Sequence, residues 1–101
     1  MAVDEWTSAA GQRVRRQCFM RDKEADAPCW LCHKPIDYSL GMSRRGGDPM
    51  AWEPDHYRPR KLFPELALEP SNIRPSHARC NKTRGMRAAL NELGTPSRDW
   101  G

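Results

Sequence analysis

The chain is poor in the residues that build cores. Of its 101 residues, 13 are Leu, Ile, Val or Phe. A fraction that low accompanies disorder when net charge is large, but here the balance is only +4. Long apolar runs are also missing, and none approaches the ~20 residues of a membrane-spanning helix. The opening stretch MAVDEWTSAAGQRVRRQ is polar and acid-bearing, unlike a secretory signal. Internal repeats and low-complexity tracts are absent as well. What is present is four Trp, five Met and four Cys, residues that disordered segments seldom carry together. These features predict one small, core-poor folded domain over residues 1–101, held by a staple that the cysteines can supply. A cytosolic, reducing setting is expected, in which cysteines bind metal more often than they form disulfides. The pI of about 9.1 fits a nucleic-acid partner.

Along the chain, Trp6, Ala10, Val14 and Cys18 recur every four residues and predict a helix over Thr7–Asp22, capped by Thr7 or Ser8. Cys18 lies on that stripe and reads as a small buried hydrophobe. Pro28 to Pro35 is a proline-bounded turn, and Asp37–Pro49 is a loop. Short strands are expected at Met50–Tyr57 and Asn72–Pro75, joined by a connection through Lys61–Pro70. A helix capped by Ser76 should follow, ended or kinked at Gly85 and resumed over Met86–Leu93, before the loose tail TPSRDWG.

Two residue pairs share one spacing: Cys29-x-x-Cys32 and His77-x-x-Cys80. A C-x-x-C turn aims two sulfurs at a point, and residues three apart on a helix share a face. Together they offer a closed tetrahedral site for Zn²⁺, tying the turn to the last helix across 44 intervening residues. A Cys29–Cys32 disulfide would be strained. A thioredoxin-type redox pair would need a β-α-β context that is absent. Cys29-Trp-Leu-Cys-His33 also matches the c-type haem attachment pattern, which requires export. Zinc is the preferred reading, with His33 an exposed turn residue.

Between the pairs stands EPDHYRPR, then Asn72, then Asn81 nine residues later. Taking ~100° per helical residue with His77 as zero, Cys80 falls near about −60° and Asn81 near about +40°. One helix can thus hold zinc and aim Asn81 at a neighbouring site. A carboxylate and an amide oxygen are hard ligands suited to Mg²⁺ or Mn²⁺.

In order, CWLC, EPDHYRPR and NIRPSHARCNKTRG resemble the HNH endonuclease family, in the zinc-containing form of small phage-encoded proteins. The resemblance covers Cys29–Gly85. It implies an α+β, ββα-metal (His-Me finger) core over residues 29–85, preceded by a helical extension over 1–28 and followed by a helix and tail over 86–101. It departs from the family's usual second C-x-x-C at His77 and from its frequent final His at Asn81.

The resemblance assigns His56 as general base, Asp55 and Asn81 as ligands of a catalytic divalent ion, and Asn72 as a brace that orients His56 by hydrogen bonding. The reaction implied is hydrolysis of DNA phosphodiesters, leaving 5′-phosphate and 3′-hydroxyl ends. Such phage proteins are associated with genome packaging and terminase subunits, which would place this one in a host cytoplasm. Arg58, Arg60, Lys61, Arg74, Arg79, Lys82, Arg84 and Arg87 are expected to track a phosphate backbone with modest base preference. Trp30 and Trp52 read as packing residues. The rival class is a non-catalytic zinc module that binds DNA or a packaging partner; it would keep the four zinc ligands without needing Asp55, His56 and Asn81 together.

Overall fold

The computed structural model describes residues 5–92, with side chains described as far as residue 86. Leu93, Gly94, the TPSRDWG tail and the Arg87 side chain lie outside the described residues.

A single 3₁₀ turn, Glu5–Thr7, precedes helix α1, Ala9–Ala25. Ser8 is its N-cap, accepting from the Gly11 amide, and Asp26 closes it in the left-handed region at φ 50°. The helix therefore runs three residues past the expected Asp22, because the Asp26 amide bonds back to Asp22 O and Lys23 O. Trp6, Cys18 and Phe19 are buried together with Trp52, Ile73, Ile36 and Tyr38, which form the core. Asp22 is buried there too: its carboxylate accepts the Trp52 indole N–H at 3.0 Å and the Arg21 guanidinium at 2.9 Å.

Strands β1, Trp52–His56, and β2, Ile73–His77, form a two-stranded antiparallel sheet. Pro54 faces Pro75 at its centre. Antiparallel rungs alternate between hydrogen-bonded and non-bonded pairs. Tyr57 N–H donates to Asn72 O and Ala78 N–H to Ala51 O, which sets the phase. The two prolines therefore fall on a non-bonded rung, where the missing N–H costs the ladder nothing. Carbonyls on the outward-facing rungs bond to other parts of the molecule. Trp30 N–H donates to Pro75 O, Ser43 N–H to Trp52 O, and Arg21 to Ile73 O.

Helix α2, Ala78–Glu92, follows β2 without a loop. Ser76 was expected to cap a helix; it lies instead in extended β2, and its hydroxyl donates to Glu53 O. The first donors of α2 go to the 49–51 segment, Ala78 N–H to Ala51 O and Arg79 N–H to Pro49 O. Gly85 neither ends nor caps α2, which continues through it. The expected 37–49 loop contains a 3₁₀ turn, Tyr38–Leu40, and a parallel bridge from Met42 to Trp52.

Candidate metal centre and catalytic cleft

The turn after Pro28 carries Cys29 and Cys32 to the end of β2. Their sulfurs, His77 and Cys80 form a cluster whose ligand atoms all lie within 4.8 Å of one another. His77 Nδ1 is 3.4 Å from Cys32 Sγ and 3.7 Å from Cys80 Sγ. A tetrahedral zinc with Zn–N ~2.0 Å and Zn–S ~2.3 Å sets such ligand pairs about 3.5–3.8 Å apart. His77 Nε2 donates to Pro35 O at 3.0 Å, so Nδ1 is the nitrogen left to ligate. The outward His77 amide approaches Cys29 Sγ at 3.5 Å, a donor toward the thiolate.

The residues fit a closed structural zinc site. His77 reaches it from the last position of β2 and not from the helix, because the strand outlasts the expected cap at Ser76. Cys80, in the first turn of α2, completes the set. Backbone hydrogen bonding at Lys34 is the main cause holding the Cys32 thiol down at about 7, whereas burial pushes Cys80 up to about 11. His33 is exposed at φ 65°, as a turn residue.

On the other side of the same hairpin lies a cleft of about 580 Å³ whose lining includes Glu53, Asp55, His56 and Asn81. β1 delivers the first three and α2 the fourth. Cys80 and Asn81 are consecutive helical residues and diverge by ~100°, so α2 contributes to the Cys₃His cluster and to the cleft at once.

His56 is 9% exposed, with Nε2 2.8 Å from Ala67 O. A carbonyl can only accept, so Nε2 carries the proton and neutral His56 keeps an unprotonated Nδ1. Burial is the main cause lowering its pKa; Arg60 and Arg15 add to the effect. The ring also meets Trp6 edge-on, with centroids 4.4 Å apart.

Asn72 does not bond His56, contrary to the expectation from sequence. Its side chain accepts from Arg58 N–H at 2.9 Å and donates to Arg58 O and Leu66 O. It braces the 57–72 connection, and that connection presents Ala67 O to His56.

Asp55 is buried, and burial is the main cause raising its pKa; the hydrogen bond from Trp30 and the charge of Arg84 pull the other way. Trp30 Nε1 donates to its Oδ2 at 2.9 Å and Arg84 Nη1 to its Oδ1 at 2.5 Å. Arg84, expected on a DNA backbone, is thus committed to Asp55 and to the carbonyls of His56 and Tyr57. Asn81 Nδ2 donates to Glu53 Oε1 at 2.7 Å, and Ser43 Oγ holds the other Glu53 oxygen at 2.8 Å. The amide is thereby turned so that Asn81 Oδ1 is its available acceptor.

The remaining cations divide. Lys61, Arg79 and Lys82 are exposed. Arg58 lies over Tyr57 and Phe63, Arg60 over Trp6, and Arg74 over Trp30 and Tyr57. Trp52 is the fully buried packing residue expected. Trp30, only partly buried, also supplies the donor to Asp55. Sequence reasoning did not single out Trp6, Arg15, Ser43 or Glu53 for the cleft. Glu53 stands two residues before Asp55, on the same face of β1, and that period was its one legible signal.

A two-stranded antiparallel hairpin running directly into a helix, with Asp-His on one strand, Asn on the helix and a Cys₃His cluster compatible with zinc, defines a nuclease-type domain. The family model for HNH endonuclease matches residues 29–87. The chain belongs to the HNH endonuclease family. No curated protein and no solved structure matches it.

Proposed function

We propose that the protein is a metal-dependent endonuclease that hydrolyses DNA phosphodiester bonds at the cleft of Asp55, His56 and Asn81. The observation that carries this reading is the tautomer of His56. Its Nε2 is tied to Ala67 O, which leaves a basic nitrogen on a residue that lines the same cleft as two hard oxygen donors.

His56 Nδ1 accepts a proton from water, and the water oxygen forms the new bond to phosphorus. The bond from phosphorus to the 3′ oxygen breaks, and that oxygen takes a proton from solvent, leaving 5′-phosphate and 3′-hydroxyl ends. Trp6 packs against the imidazole ring, and Asn72 holds the connection that carries Ala67. Asp55 and Asn81 would hold a divalent cation, Mg²⁺ or Mn²⁺, which would supply charge stabilisation for the phosphate and the leaving oxygen. The chemistry of these donors fits such an ion: each Asp55 oxygen has a second lone pair beyond the one given to Trp30 or Arg84. Trp30 and Arg84 orient that carboxylate, and Glu53 orients the Asn81 amide. Lys61, Arg79 and Lys82 supply exposed charge for the DNA backbone.

The test is incubation of supercoiled plasmid with Mg²⁺ or Mn²⁺. Wild type is expected to produce nicked or linear DNA and His56→Ala none above background. Equal product from the two would sink the nuclease reading and leave a zinc module that binds DNA or a partner without cutting.

A further inference from the structure

The family match begins at Cys29, yet the cleft is walled in part by residues that precede it. Trp6, from the turn before α1, is buried and stands edge-on to His56 at 4.4 Å. Arg15, from the second turn of α1, lies with its guanidinium carbon 4.8 Å from the Trp6 ring centroid. Arg60 approaches the same ring from the 57–72 connection, at 5.8 Å. Both arginines line the cleft with His56.

Arg15 differs from the other cleft arginine, Arg84, in what holds it. Arg84 is held by the Asp55 carboxylate and two carbonyls. Arg15 forms no ion pair with a carboxylate among the described residues, and its buried Nε has no hydrogen-bond partner. A buried guanidinium N–H left without an acceptor costs free energy, and folded proteins seldom leave one so. Stacking on Trp6 holds the guanidinium at the wall of the cleft that Arg15 lines. An anionic acceptor suits the cleft, whose lining sets three arginines (Arg15, Arg60 and Arg84) against two carboxylates, Glu53 and Asp55. It must also fit beside His56. A non-bridging oxygen of a phosphodiester meets each condition.

We infer that Arg15 is a phosphate-binding residue of the active site, contributed by the helix that precedes the family domain, and that it contacts the phosphodiester under attack. The inference rests on the nuclease reading for the identity of that phosphate. It makes α1 part of the catalytic apparatus as well as of the core. Arg15 donates to an oxygen whose charge grows in the transition state, so its removal should be felt in turnover more than in binding.

The experiment compares wild type, Arg15→Ala and Arg15→Lys in cleavage of a short DNA duplex at saturating concentration. In parallel, the salt dependence of duplex binding is measured for Arg15→Ala made in the non-cleaving His56→Ala background. The expected result is a roughly 10²-fold lower turnover for Arg15→Ala, partial rescue by lysine and an unchanged melting temperature. The slope of log K against log salt should fall by about 0.9, one phosphate contact. Should Arg15→Ala lower the melting temperature by uncovering Trp6, Arg15→Gln, which keeps the aliphatic stem, carries the comparison.

Turnover and slope both equal to wild type would overturn the inference. So would a loss of turnover with no change in slope and no rescue by lysine, which marks a packing role. If wild type cuts nothing while the slope still falls, the nuclease reading fails and the phosphate contact stands.

Discussion

At the scale of single residues, two side chains matter for reasons their type does not advertise. Asp22 is an acid in the core, and it is there because the Trp52 indole N–H and Arg21 both need its oxygens. Asp22→Ala leaves a buried indole donor unpaired, which costs about 1–3 kcal/mol, and loses charged hydrogen bonds besides. Thermal denaturation should show a clear drop in melting temperature, whereas Asp22→Asn, which keeps an acceptor, should lose less. Trp30 sits between the two zinc-binding cysteines and donates to Asp55. Trp30→Phe keeps the ring but not the donor. A cleavage rate about 10–100-fold below wild type, with zinc content and melting temperature unchanged, is expected from the usual weight of such supporting contacts. A rate equal to wild type would show that Asp55 needs no help from the knuckle. The zinc ligands and the Asp55-His56 pair were legible because their spacing is local and their chemistry narrow. Trp30 and Glu53 were not, because what gives them a role is a partner 25 or more residues away in sequence.

At the scale of elements, the consequence lies in how α1 is seated. Gly11 packs so closely on the preceding 3₁₀ turn that a Cβ there would overlap the Trp6 carbonyl. Gly11→Ala must push that turn away, and with it the ring that rests on His56. A destabilisation of about 1–3 kcal/mol is expected, as for other overpacked sites. Cleavage should suffer beyond what the loss of folded protein explains, which activity measured well below the melting temperature separates. The boundary between β2 and α2 shows why element edges resist reading from sequence. Ser76 carries a strong capping preference, yet pairing with Glu53 holds it in the strand, and the carbonyls of Pro49 and Ala51 take over the capping. The strand ends two residues later than expected and the helix begins one later, and the ligand set stays intact because His77 reaches the same point from the strand end.

At the scale of the molecule, zinc held by the Cys₃His cluster would compensate for the thin apolar supply. Structural zinc contributes about 10–16 kcal/mol in small metal-stapled domains, as much as or more than the ~5–15 kcal/mol that holds a typical domain. Chelation should therefore unfold the protein cooperatively, and Cys29→Ser should not fold; circular dichroism checks both. In the zinc-loaded protein Cys18 should resist alkylation at neutral pH, since it is 0% exposed and burial raises its thiol pKa. After chelation all four cysteines should react together. Labelling of Cys18 before chelation would contradict the packing described. The thin core and the need for a staple from the cysteines were legible in composition. That the N-terminal helix reaches into the cleft was not, since it depends on how three segments distant in sequence converge.

The Pro54–Pro75 rung has one more effect. A two-stranded hairpin is nearly all edge, and edges recruit foreign strands. Here neither outer face offers an amide at its midpoint. The flanking carbonyls of Trp52, Ile73 and Pro75 are already taken by Ser43, Arg21 and Trp30, and the His77 amide by a zinc-binding sulfur. The sheet is closed to a third strand from another copy, so the same hairpin that walls the cleft protects the protein against edge-to-edge aggregation.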